Sequence, residues 1–102
     1  MRRVMVRYKV KAERAAENEN YITQVFAALA KATPAGLRYA SFKLADGVSF
    51  VHIASLERPD ASNPLTELPA FQTFIAEIRD RCEEPPVTTD LIEVGSYRFF
   101  GE

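Results

Sequence analysis

His52 is the only histidine of the chain, and imidazole is the one side chain whose ordinary pKa lies near neutrality. It sits in a stretch of period two, with Phe50 and Ala54 on its own side and Val51 and Ile53 on the other. The stretch before it, Leu37 to Leu44, has the same period. An Asp46-Gly47 pair separates the two, which is a strong hairpin signal because a type I′ turn needs positive φ at both central positions. Folding around that pair places Ser41 opposite His52, Tyr39 opposite Ala54, Phe42 opposite Val51 and Ala40 opposite Ile53. An imidazole among hydroxyl groups has the chemistry of a general base acting on an acidic O–H, with a tyrosine or an arginine to stabilise the anion. The candidates are therefore His52 as base, with Tyr39, Tyr97 and Arg7 as orienting groups. The same residues also suit a hydrogen-bonded interface, since tyrosine favours strands and interfaces for packing reasons alone.

Other reactive types carry less. Cys82 is the single cysteine; it is expected late in a helix, where the dipole disfavours a thiolate, as a structural thiol. One histidine and one cysteine on different elements do not make a metal site. Four scattered glycines form no phosphate-cradling loop. No cofactor motif is present, so none is expected.

The elements that must position these groups follow from periodicity. Val4, Val6, Tyr8 and Val10 alternate with Met5, Arg7 and Lys9 in a first strand. From about Glu13 to Ala32 the period becomes helical, with Ile22, Val25, Phe26 and Leu29 on one face, and Thr33-Pro34-Ala35-Gly36 ends it. Two strands follow, Leu37 to Leu44 and Val48 to Leu56. Asn63-Pro64 reads as a helix cap and first turn. Pro69 opens a longer helical segment marked by Phe71, Phe74, Ile75, Ile78 and Cys82, which Glu83-Glu84-Pro85-Pro86 ends. Asp90 to Phe100 completes the order as a last strand. The order β-α-β-β-α-β implies a ferredoxin-like α+β domain spanning residues 1–102, a four-stranded antiparallel sheet with two helices on one face.

Alternation divides the sheet into two faces. Val4, Val6, Tyr8, Val10, Ala40, Phe42, Leu44, Val51 and Ile53 form the apolar set expected beneath the helices. Met5, Arg7, Lys9, Tyr39, Ser41, Lys43, Phe50, His52 and Ala54, with Glu93 and Tyr97, form a mixed set expected on the open face, where Arg7 and Glu93 would pair. Mixed charge and aromatic surface suits a wet dimer interface, and the aromatic tail Tyr97-Arg98-Phe99-Phe100 suits contact with a second subunit. A homodimer is the expected assembly.

At this point the chain resembles the dimeric α/β-barrel superfamily, and within it the small antibiotic-biosynthesis-monooxygenase-like proteins. The order of elements carries the resemblance over the whole chain. Leu65-Thr66-Glu67-Leu68-Pro69-Ala70-Phe71-Gln72-Thr73-Phe74 carries it locally, as a short helical turn running into the second helix through a small residue and a phenylalanine. The resemblance implies two sheets joined face to face in a barrel. It also implies a cofactor-independent oxygenase acting on an aromatic or enolisable small molecule, which supplies the electrons for oxygen once deprotonated. The alternative is a non-catalytic dimer that binds a small ligand or another protein. The chain departs from the pattern at Leu68, where monooxygenase relatives usually carry histidine, and in having no tryptophan. The haem-degrading relatives need a histidine on the second helix, which this chain lacks.

Composition narrows the partners. With net charge −1 and pI near 5.9, the chain lacks the basic balance of a nucleic-acid binder. Gly47-Val48-Ser49-Phe50-Val51-His52-Ile53 only faintly echoes an RNA-recognition strand, with Val48 and Met5 where stacking aromatics belong. No apolar run approaches the ~18 residues of a membrane span. The first residues run directly into a strand pattern, so a cytoplasmic location is expected.

Overall fold

The computed structural model describes residues 1–100. Strand β1 (Arg2–Val10) leads through a 3-10 turn (Ala12–Arg14) into helix α1 (Ala15–Ala32). Strands β2 (Leu37–Lys43) and β3 (Ser49–Leu56) follow as a hairpin. A second 3-10 turn (Pro64–Glu67), helix α2 (Pro69–Ile75) and a single turn α3 (Ile78–Arg81) then lead to β4 (Cys82–Leu91). The sheet is antiparallel in the order β2-β3-β1-β4. The helices lie on one face, giving the expected ferredoxin-like α+β architecture.

Local chemistry accounts for most boundaries. Thr33 closes α1 in the left-handed region, its N–H bonded to the Leu29 carbonyl. The Asn63 side chain accepts from Leu65 N at 2.9 Å, capping the turn that begins at Pro64. Gly36, at φ +76, leads the chain into β2, and a Cβ there would meet Arg58 Cγ at 2.6 Å. Gly36→Ala is expected to cost about 1–2 kcal/mol, read as a lower urea midpoint at unchanged slope.

The β2–β3 register is the one predicted: Tyr39↔Ala54, Ala40↔Ile53, Ser41↔His52 and Phe42↔Val51. The connection differs. It is a wider loop in which Gly47 N–H donates to the Leu44 carbonyl and Leu44 N–H to the Ser49 carbonyl. Gly47 has φ +78 and Asp46 is not in the left-handed region, so no I′ turn forms. The Asp46 carboxylate instead accepts from Val48 N, Ser49 N and Ser49 Oγ, which holds its pKa down to about 2.

The face assignment of this hairpin is corrected. β1 pairs with β3 as Val4↔Ala54, Val6↔His52 and Tyr8↔Phe50, and directly opposed residues share a face. Tyr39, Ser41, Phe50, His52 and Ala54 therefore lie beneath the helices with Val4, Val6, Tyr8 and Val10. Ala40, Phe42, Val51 and Ile53 lie on the open face with Met5, Arg7 and Lys9. The core gathers Tyr8, Val10, Val25, Phe50, Leu65, Phe74 and Cys82. Polar residues are buried with it because they satisfy one another, which hydropathy alone does not register.

Two further expectations change at the C-terminal end. The second helix breaks after Ile75, with Ala76 extended and Glu77 at φ 59. The Arg81 guanidinium reaches back to the carbonyls of Phe74 (2.5 Å) and Ala76 (3.3 Å), which replaces the lost helical bonds. The last strand is Cys82–Leu91, not Asp90 to Phe100. Pro85 and Pro86 fall where its register against β1 shifts, on an edge strand that tolerates missing donors. Cys82 consequently opens β4 rather than ending a helix, and burial pushes its thiol pKa up.

Residues 92–100 leave the sheet and turn back over its open face. Glu93 pairs with Arg3, and the Arg3 guanidinium lies 3.7 Å from the centre of the Phe100 ring. Arg7 is thus not the partner of Glu93; it stands opposite Val51 and Val87.

Candidate functional site

The hairpin register and the β1–β3 register together bring four polar side chains, Tyr8, Tyr39, Ser41 and His52, to one spot under α1 and α2. His52 is 4% exposed. Its Nε2 lies 2.8 Å from Tyr8 Oη, and its Nδ1 lies 2.8 Å from Tyr39 Oη and 2.6 Å from Ser41 Oγ. Behind Tyr8, Asn18 of α1 donates its Nδ2 to Tyr8 Oη at 2.9 Å. Asn18 Oδ1 accepts from Arg81 Nε at 3.4 Å. Asn18 and Arg81 are both buried.

Aromatic rings clamp this chain. Tyr8 stacks on Phe50 and on His52 at centroid distances of 5.6 and 5.4 Å. Tyr39 stacks on His52 at 5.8 Å and on Phe26 of α1 at 5.3 Å. Phe74 tilts against His52 at 5.5 Å. Such contacts fix side-chain positions as well as burying area.

Burial sets the protonation states. It pushes the His52 pKa down to about 4, so the imidazole is neutral at pH 7. It pushes Tyr39 up to about 12, against an opposing hydrogen bond from Ser41. Tyr8 is also raised, chiefly by burial, with the Asn18 hydrogen bond working against the shift. Both tyrosines remain protonated donors.

The chain forms the wall of a cavity of about 380 Å³ between sheet and helices, within the ~300–1,000 Å³ range of small-molecule sites. Val4, Val6 and Ala54 line it from the sheet, and Phe71, Phe74 and Ile75 from α2. Tyr8, Tyr39 and His52 supply polar groups, and the exposed Arg79 stands at the rim. An apolar chamber with a few convergent polar atoms can seat one flat, largely apolar molecule and grip it by an oxygen.

Of the four residues singled out in the sequence, His52 and Tyr39 come together here. Arg7 is exposed on the opposite face, and Tyr97 lies beyond β4, 81% exposed, in a groove of the open face with Arg3 and Ile53. Asn18 and Arg81 were not anticipated. Asn18 reads as one of a polar run early in a helix, and Arg81 as one of several charges near a helix end. A polar residue in helical phase with Ile22 and Val25 was the only signal for Asn18. Among the described residues no group of three or more His, Cys, Asp or Glu side chains is placed to hold a metal ion. No helix among them is long and apolar enough to cross a membrane.

Among the solved structures that this chain is similar to are several described as antibiotic biosynthesis monooxygenases. It is similar to a candidate member from Nitrosomonas europaea, with a TM-score of 0.73 and 15% identity over 91% of this chain and 89% of that one. It is similar to a variant of SnoaB, a cofactor-independent oxygenase from Streptomyces nogalater, with a TM-score of 0.67 and 20% identity over 93% and 94%. A candidate member from Caulobacter crescentus gives a TM-score of 0.70 and 24% identity over 92% and 90%. At such identities the likeness establishes the shared fold. No protein-family profile matches the sequence, and no curated protein matches it.

Proposed function

We propose that the chain is a small cofactor-independent monooxygenase-like enzyme that acts on an aromatic or enolisable molecule in the cavity between sheet and helices. The observation that carries this reading is the Tyr8–His52–Tyr39 chain forming the polar wall of an otherwise apolar chamber. The fold shared with an oxygenase that needs no cofactor supports it. The substrate is held by its oxygen and supplies all the electrons. A CH₂ flanked by conjugating groups gives its proton to solvent, the carbanion reduces dioxygen and the peroxide takes that proton back, and collapse of the resulting hydroperoxide leaves C=O and water. One oxygen atom ends in each product.

His52 serves better as a holder than as a strong base. Burial holds its imidazole neutral with a pKa of about 4, which makes it a weak base. A neutral imidazole still fixes Tyr39 and Ser41. The working unit is a homodimer joined through the open faces, where Phe42 and Val87 are 48% and 62% exposed. Sedimentation velocity is expected to give twice the 11.5 kDa chain mass.

The activity is tested by dioxygen uptake with anthrone, an enolisable hydroxyaromatic precursor, in chelator and without added flavin. Uptake of one dioxygen per anthrone, well above spontaneous autoxidation, is expected. Binding without uptake would leave the chain as a ligand-binding dimer.

A further inference from the structure

The hydrogen-bond chain at the back of the cavity has a donor-only group at its far end, and that sets its direction. Arginine has no acceptor, so Asn18 must turn Oδ1 toward Arg81 and Nδ2 toward Tyr8. Tyr8 Oη then accepts from Asn18, and its own proton has one remaining partner, His52 Nε2. In the reverse arrangement the Tyr8 O–H would have only the cavity to point to, since Tyr8 Oη has no third protein partner among the described residues, so the paired arrangement is favoured. His52 is therefore protonated on Nδ1 and donates toward Ser41 and Tyr39. With the Nδ1–H aimed at both oxygens, the imidazole takes up neither hydroxyl proton, which leaves the Tyr39 proton for an acceptor in the cavity that Tyr39 lines.

The start of the chain is also unusual. Arg81 is 2% exposed, and no carboxylate among the described residues pairs with it. Its partners are two backbone carbonyls, Asn18 and the faces of Tyr21 and Phe74. A buried cation without a counter-ion favours negative charge nearby, and hydrogen bonds in a low-dielectric interior polarise one another along a chain.

We infer that Arg81, through Asn18 and Tyr8, holds His52 as the Nδ1–H tautomer and makes Tyr39 a donor to the cavity, so that the site selects an occupant whose oxygen is negatively charged, a phenolate or enolate. This rests on the cavity being the binding site. Arg81, Asn18 and Tyr8 are positioning residues that act through His52 and Tyr39.

Nitrogen-15 NMR of the single histidine reads the tautomer directly, with no activity required. Nδ1–H is expected in the unmodified protein. Asn18→Asp keeps the size of the side chain and gives Arg81 a counter-ion, but replaces the donor facing Tyr8 by an acceptor. It is expected to reverse the chain and shift His52 to Nε2–H, an outcome a merely structural role would not produce. The ligand is probed with para-nitrophenol, whose two forms differ in absorbance. Its apparent pKa on the unmodified protein is expected to fall by about one unit, a roughly tenfold preference for the anion, and the preference is expected to vanish in Asn18→Asp. An Nε2–H imidazole in the unmodified protein, or an unchanged tautomer in the variant, overturns the relay. Preference for neutral nitrophenol, or no binding, overturns the ligand assignment. Absent oxygen uptake alongside the expected tautomers would sink the oxygenase reading alone.

Discussion

Lowering the pH from 7 to 4 will remove about 3 kcal/mol of folding stability from this protein, and the loss will be traceable to His52. The unfolded chain takes up the imidazole proton at its ordinary pKa of 6.5, the folded chain only near 4. Between those values the unfolded state holds more protons, so stability falls as the pH falls. The contribution is complete above 6.5 and is lost on the way down to 4. Carboxylates lowered in the fold, such as Glu17 and Asp46, weaken it only below their ordinary values of 4.5 and 3.8, so the upper part of the window belongs to the histidine. Denaturant titrations at several pH values check this. His52→Gln, which keeps hydrogen-bonding atoms but does not titrate, is expected to flatten the slope from pH 6.5 to 5. An equal slope in both proteins would mean that the imidazole is hydrated and the site open. A loss of this size is a large part of the ~5–15 kcal/mol available to a domain.

Tyr39→Phe is expected to lower kcat/KM for oxygen uptake about 100-fold, the scale of removing one donor from a developing oxyanion. The ring stacking with Phe26 and His52 survives the change, so the midpoint of unfolding should move far less than the activity. On the proposed binding mode the substrate oxygen is gripped by the Tyr39 hydroxyl, so the loss should appear in kcat as well as KM. The telling comparison is with Arg7→Ala and Tyr97→Phe on the opposite face. Losses there as large as at Tyr39 would move the chemistry to the open face of the sheet.

The order of elements was legible and most carry a local signal, but β4 did not, because Glu83-Glu84-Pro85-Pro86 reads as a helix stop and not as part of an edge strand. Val4 to Val10 alternate, α1 has helical phase and Asn63-Pro64 caps a turn. The hairpin register survived a wrong turn type because widening the loop symmetrically about Asp46-Gly47 leaves every pair in place. What could not be read was which side of the hairpin faces the helices. Both sides of β3 are apolar enough for burial, and the polar Tyr39–Ser41–His52 trio looked like surface. His52 is buried, with Tyr39 and Ser41 half-buried beside it, because they satisfy one another and then reach Tyr8, Asn18 and Arg81 across about 60 residues of sequence. The long-range partner of a histidine has no local signature. For the same reason Arg81 looked like the end of a helix, whereas its side chain closes the break after α2.

The most direct test of the account is where a hydroxyaromatic binds. Titration of isotopically labelled protein with α-naphthol, followed by NMR, is expected to shift the signals of Tyr8, Tyr39, Ala54, Phe71 and Phe74 and to give contacts from the naphthol ring to α2. Shifts confined to Met5, Arg7, Ile53 and Tyr97 would place the ligand on the open face and contradict it.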